Sequence, residues 1–224
     1  MTSFRPRTTT ELMDRARSLA GLRLAHLAAD LDRDVPPDLR RHKGWIGRLF
    51  EDALGADGGS AARADFDQLG IELKTIPVDR TGTPRESTFV CSVPLAEPDE
   101  VRWKTSTARH KLEHILWIPV LSDEAATVGD RLVGSPLLWS PSPSQRQLLR
   151  DDWQQHLDVI RRGYVDEITA HDGRILQIRP KGASADSRTW SIGPDGESML
   201  THPRAFYLRT KFTASILRRH FAIG

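Results

Sequence analysis

The apolar positions of the chain repeat with two different periods, and each period predicts its own elements. Over 8–31 the spacing is helical: Leu12, Ala16 and Leu19 share a face, and Thr8 and Glu11 stand at capping-box distance. Gly21 interrupts this stretch, which predicts two short helices. Pro36 and Pro37 make the next segment a loop. Ile46, Leu49, Phe50 and Leu54 predict an amphipathic helix over 45–55 that Gly55 stops. The clearest helix is 142–163. Ser142 caps it, Pro143 takes the first turn, Gln145 completes a capping box, and Gly163 ends it. Leu149, Trp153, Leu157 and Ile160 form its buried stripe, and the tail over 210–221 predicts a last, basic helix.

Short apolar or alternating runs predict strands at 70–76, 87–94, 115–120, 136–140 and 174–179. The segment 79–86, with its Gly and Pro, reads as a hairpin loop joining the first two. The stretch 56–64 reads as a flexible connection, and 126–131 and 181–197 read as variable loops. Strands and helices mix without regular alternation. The expected class is therefore α/β with an α+β character, a mixed sheet flanked by helices. At 224 residues the chain suffices for one large domain or for two lobes around a shared cleft.

Composition narrows the class. Hydrophobic residues at 38% and charged ones at 28% fit a folded soluble protein and exclude a disordered one. No apolar run approaches the roughly 20 residues of a membrane helix, and the start of the chain lacks a signal-type segment, so no membrane and a cytoplasmic location are expected. The single cysteine, Cys91, lies in an apolar run and reads as a buried thiol; no Cys or His cluster has zinc-site spacing. A net charge of +2 excludes a generic polycation, but the placement of charge is uneven. After Glu197 no acid follows, while Arg204, Arg209, Lys211, Arg218 and Arg219 do, and Arg40 to Lys43 form a second basic cluster. Such patches suit a polyanion.

The strand at 70–76 carries charges where a plain strand would carry Thr or Val. Alternation puts Glu72 and Lys74 on one side and sends Ile71 and Leu73 to the other, toward a core. Asp65 lies seven residues before Glu72, with Gly70 between them to permit a bend. Asp65 and Glu72 could hold Mg²⁺, a hard cation that prefers oxygen ligands. Lys74 could then hold or deprotonate a water, or stabilise charge developing on a phosphate. Glu51, beside the apolar face of its helix, is the candidate third carboxylate. Together these parts would suit hydrolysis of a phosphodiester, whose anion must be neutralised before a nucleophile can approach. The spacing alone also fits a surface strand with an ion pair worth at most about 1 kcal/mol.

Longer stretches add specificity. "KGWIG" (43–47), "DFDQLGIELKTIPVD" (65–79), "TFVCSVPL" (88–95), "RHKLEHILWIPV" (109–120), "VGSPLLWSP" (133–141), "LQIRPK" (176–181) and "FYLRTKFT" (206–213) resemble, in order and spacing, the MutH family of strand-nicking endonucleases in methyl-directed mismatch repair. The resemblance runs from about residue 8 to the C-terminus. It implies a restriction-endonuclease-like fold in a single nuclease domain over 1–224, with two lobes around a DNA-binding cleft. It implies a Mg²⁺-dependent monomer that nicks the unmethylated strand at hemimethylated GATC in double-stranded DNA. It further implies activation by MutL, itself recruited through MutS. By position it implies Asp65 and Glu72 as metal ligands, and Lys74, Glu51 and Lys111 beside them in catalysis. It implies Lys43, Phe89, Arg179, Pro180, Lys181 and Tyr207 as DNA contacts. Arg suits guanine O6 and N7, an inserted aromatic can distort base steps, and Tyr207 would lie next to the adenine amino group. His110 and His114 are expected at the surface or on the DNA backbone. The alternatives are a stand-alone GATC-specific restriction endonuclease and a non-catalytic DNA-binding protein.

Overall fold

The computed structural model of the chain describes residues 5–57, 63–123, 126–182, 184 and 186–221. Its helices are α1 (Thr9–Ser18), α2 (Leu24–Asp30), α3 (Trp45–Leu54), α4 (Thr107–Glu113), α5 (Pro143–Arg161) and α6 (Thr210–Phe221). Its strands are β1 (Glu72–Val78), β2 (Thr88–Ser92), β3 (Ile115–Leu121), β4 (Leu132–Val133), β5 (Leu137–Trp139), β6 (Leu176–Pro180), β7 (Thr189–Ile192), β8 (Ser198–Thr201) and β9 (Arg204–Leu208). Part of the expected flexible connection, 58–62, falls outside the described residues, as do 183 and 185 in the expected loop over 181–197. The chain divides into two compact units. One comprises Met1–Glu86, Glu113–Ser140 and Ala214–Gly224; the other comprises Ser87–Leu112 and Pro141–Thr213.

The first unit is built on a mixed sheet. β1 and β3 run parallel from the pair Glu72–Ile115 to the pair Val78–Leu121, and β4 and β5 pair antiparallel with β3. Every residue from Ile115 to Val120 is buried, as expected of a strand covered on both faces. On one face Leu73, Leu116, Ile118 and Val120 pack with Leu12, Leu24, Phe50 and Leu54 from α1, α2 and α3. That packing explains the helical periodicity of the first third of the sequence. Gly21, at φ +84°, separates α1 from α2 as expected, and its N–H donates to Val133 O.

Two local expectations change. Thr8 caps α1 by accepting from the Glu11 N–H, but the Glu11 carboxylate turns to the Arg7 N–H, so the capping box is only half made. The segment 79–86 does not join β1 to β2 as a hairpin, because β2 pairs with β9 in a different sheet. Instead the Asp79 carboxylate accepts from the Thr81 and Thr83 N–H groups, and the chain bends back to pair Pro84 with Val78 before leaving.

The second unit holds the antiparallel sheet β2–β9–β6 and the separate β7–β8 hairpin. The central strand β9 was not expected from the pattern, and β7 and β8 occupy part of the segment expected to be a loop. Against β6 packs α5, with the full capping box between Ser142 and Gln145 in place. The stripe of α5 is wider than apolar periodicity suggests, because Asp152 and His156 are buried in it. The Asp152 Oδ2 accepts from the N–H groups of Arg174, Ile175 and Leu176, and His156 Nε2 lies 3.0 Å from Leu176 O. These bonds fix the start of β6 to the helix. Cys91 is a buried thiol, as expected.

Candidate active site and nucleic-acid interface

In the first unit, a tight loop brings Asp65 beside the start of β1. Phe66 and Ile71 exchange two backbone hydrogen bonds, a 3-10 turn spans Asp67–Leu69, and Gly70 adopts φ +63°. An L-residue is strained at that angle, which accounts for glycine at the bend. The loop turns the Asp65 carboxylate toward β1, where its Oδ2 accepts from the Leu73 N–H at 2.8 Å. The strand itself begins at Glu72 rather than 70, anchored by the Glu72 N–H to His114 O.

Glu72 is only 1% exposed, although it carries a carboxylate. A buried charge survives only when it is paired. Its partner is Lys74 on the same side of the strand, with Nζ 2.6 Å from Oε1 and a side chain 14% exposed. Glu51 on α3 is half-buried. Burial first, then the charges of Asp65 and Asp52, hold its carboxyl above the usual range; Glu72 adds to this, and Arg48 opposes it. Glu51, Asp65 and Glu72 thus lie within one another's electrostatic reach. The carboxylates of Glu51, Asp65 and Glu72 gather negative charge at the mouth of β1, where the Lys74 ammonium and the Arg48 guanidinium oppose it.

The donor set suits a hard divalent cation, because Asp65 and Glu72 offer oxygen only. Among the described residues, no group of three or more His, Cys, Asp or Glu side chains stands in metal-holding geometry. A cation on Asp65 and Glu72 would complete its shell from water, backbone carbonyls and phosphate, which is the habit of Mg²⁺.

The second unit gathers most of the other residues singled out in the sequence. Phe89, on β2, pairs in register with Tyr207 on β9, and their rings meet edge to face at 5.7 Å. Lys181 Nζ sits 3.1 Å from the centre of the Phe89 ring. Arg179 is exposed and donates to Ser87 Oγ, and Pro180 ends β6, also exposed. One face of the sheet is therefore a platform of two aromatic rings rimmed by two cations. This is the chemistry of a surface that stacks on or wedges between bases and holds phosphates. Beside Tyr207 on β6 stands Gln177, which apolar periodicity does not single out because it reads as a polar gap between Leu176 and Ile178.

Lys111 also belongs to the second unit, on α4, and is only 7% exposed, so it is not a solvated surface cation. Lys43, in the first unit, is exposed just before α3. His110 and His114 are exposed, and His114 Nδ1 lies 2.8 Å from Ser140 Oγ. No described helix is long and apolar enough to cross a membrane.

Residues 54–152 match the family described as DNA mismatch repair enzyme MutH. The chain is 51% identical over 212 residues to a DNA mismatch repair protein MutH of Histophilus somni, covering 95% of each chain. It is 50% identical over 218 residues to that of Escherichia coli K12, covering 97% of this chain and 95% of the relative. The Shewanella baltica protein of the same description is 46% identical over 216 residues, covering 96% and 97%. At such identity over nearly the full length, the chain belongs to the MutH family of DNA mismatch repair enzymes, endonucleases with a restriction-endonuclease-like fold.

Proposed function

We propose that the protein is a Mg²⁺-dependent endonuclease that nicks the unmethylated strand of double-stranded DNA at hemimethylated GATC sites, and that MutL activates it. The observation that carries this reading is the set Asp65, Glu72 and Lys74 at the start of β1, with Glu51 inside its field. Asp65 and Glu72 would hold the cation, which when bound lowers the pKa of water and polarises a phosphoryl oxygen. Asp65 is oriented for this by the Leu73 N–H, and Glu72 by Lys74. Lys74, aimed by its hydrogen bond to Glu72, donates toward the reacting phosphate or its water. Lys111 supplies a second positive charge at the scissile phosphate. Glu51 strengthens the negative field that draws the cation in. Lys43 and Lys181 neutralise the backbone, Arg179 and Pro180 read the guanine, and Phe89 enters between base steps. A methyl on adenine N6 is rejected because Tyr207 leaves no room for it. The protein acts as a monomer in the cytoplasm, where MutS at a mismatch recruits MutL.

The test uses supercoiled plasmid carrying one GATC site in unmethylated, hemimethylated and fully methylated forms, with Mg²⁺, with and without MutL and ATP. Open circles from the first two forms, in greater yield with MutL and ATP, support the reading. Cutting of the fully methylated form, or no cutting from folded protein under any condition, rejects it. Linear product without MutL would instead identify a stand-alone restriction enzyme.

A further inference from the structure

Gln177 is a buried amide whose place nothing inside the protein explains. It is 7% exposed on β6. Its register partner on β9 is Tyr207, whose own partner on β2 is Phe89, so the three side chains form one row across the sheet. The opposite face is covered by α5, through His156 near Phe206 and Leu176. Among the described residues the Gln177 amide makes no hydrogen bond to protein, and its atoms are not among the sealed, unpaired polar atoms of the interior. The stem of the side chain is therefore packed, and its polar end opens onto the aromatic face. Burying an amide without a partner costs about 1–3 kcal/mol, and Leu or Val would avoid that cost in a strand. The partner belongs outside the protein.

We infer that Gln177 is a further specificity-determining residue, whose amide contacts the adenine faced by its row-mate Tyr207. An amide presents one acceptor and two donors in a plane, the complement of adenine N7 and N6 in the major groove. The N6 position is where methylation would be sensed, so a second contact there explains how a single row of side chains recognises the base and rejects its methylated form. The bonds that Asp152 and His156 make to the start of β6 hold this row in place from the opposite face. The inference rests on the proposed reading of this face as the base-contacting surface.

The experiment measures nicking kcat/KM for wild type, Gln177→Leu and Gln177→Met on GATC duplexes and on duplexes with one base pair changed, either the A·T pair or the G·C pair. The Leu and Met variants should lose roughly 5- to 150-fold on GATC, the range of one bidentate base contact. They should lose little on sites already changed at the A·T pair, keep their discrimination at the G·C pair, and unfold no earlier than wild type. An equal loss on every duplex, or no loss on GATC, overturns the inference; should the Leu variant fail to fold, the Met variant carries the same readout. Arg179→Ala serves as the control for the underlying reading. If it leaves discrimination at the G·C pair intact, this face does not read bases at all. If it relaxes that discrimination while Gln177→Leu changes nothing, only the role of Gln177 fails.

Discussion

Replacing Lys74 by Ala tests chemistry apart from folding and from cation binding, because the ammonium is paired with the buried Glu72 carboxylate. With Nζ 2.6 Å from Glu72 Oε1, the gross attraction is about 6 kcal/mol at an effective dielectric near 20. Desolvation of both groups cancels much of this, and breaking a fully dry pair typically costs about 3–5 kcal/mol. Lys74 keeps 14% of its side chain exposed, so water can reach Glu72 in the variant, and the expected loss of stability is smaller, about 1–3 kcal/mol. For a chain of this length, thermal unfolding should then come several degrees earlier, at roughly 2–4 °C per kcal/mol. Activity should fall far more. Loss of one preorganised donor to a developing anion lowers the rate by about 10²–10³, so plasmid nicking at saturating Mg²⁺ should drop at least that far. Removing a positive charge should tighten, not weaken, binding of Ca²⁺ at the carboxylates. Duplex binding should persist, because phosphate contacts are spread over many basic residues. A variant that nicks within a few-fold of wild type would refute the role of Lys74. One that loses activity only in proportion to folded fraction would reduce Lys74 to a structural partner of Glu72.

Three further outcomes follow from the same geometry. Burial and the charges of Asp65 and Asp52 raise the Glu51 carboxyl; such a group stabilises below its ordinary range and costs stability once ionised, so Glu51→Gln should raise the melting temperature in EDTA at pH 7.5, lose that gain near pH 4, and slow nicking, whereas an earlier melt at pH 7.5 would contradict this. Burial lowers the pKa of His156, against the pull of Leu176 O and Asp152; stability is therefore full above the ordinary histidine range of about 6.5 and declines as pH falls through the folded value, so His156→Gln should flatten the melting temperature between pH 7 and pH 5. Asp152→Ala leaves three backbone N–H groups without their acceptor and should cost about 3–5 kcal/mol in denaturant unfolding, while its surface neighbour Asp151→Ala should barely move the midpoint.

How much of this could be read from the chain depends on whether a signal is local. The caps of α5, the break at Gly21 and the bend at Gly70 are local, and their residues carry the reason with them. The same holds for Glu72 and Lys74, whose alternation places them on one side of β1. β9 is marked only by the four-residue apolar run 205–208, which follows Arg204 and passes almost at once into the helical tail, too short a signal to separate a strand from the approach to α6. The β7–β8 hairpin had a signal in Gly193–Gly196, a turn between two short runs, but the polar residues around it read as loop. The missing link between β1 and β2 is of another kind. Pairing partners are a tertiary choice, and nothing in 79–86 tells that β2 will pair with a strand more than a hundred residues on. The row Phe89, Tyr207 and Gln177 was hidden for the same reason, since it exists only once β9 lies between β2 and β6.

The most direct measurement is anomalous diffraction from crystals soaked in Mn²⁺, for wild type and for Asp65→Asn. The expected result is one peak within about 2.0–2.6 Å of both the Asp65 and Glu72 carboxylates, with Lys74 still on Glu72, and a lost or much weakened peak in the variant. Carboxylates facing apart with no ion between them, or a peak that survives in Asp65→Asn, would contradict it.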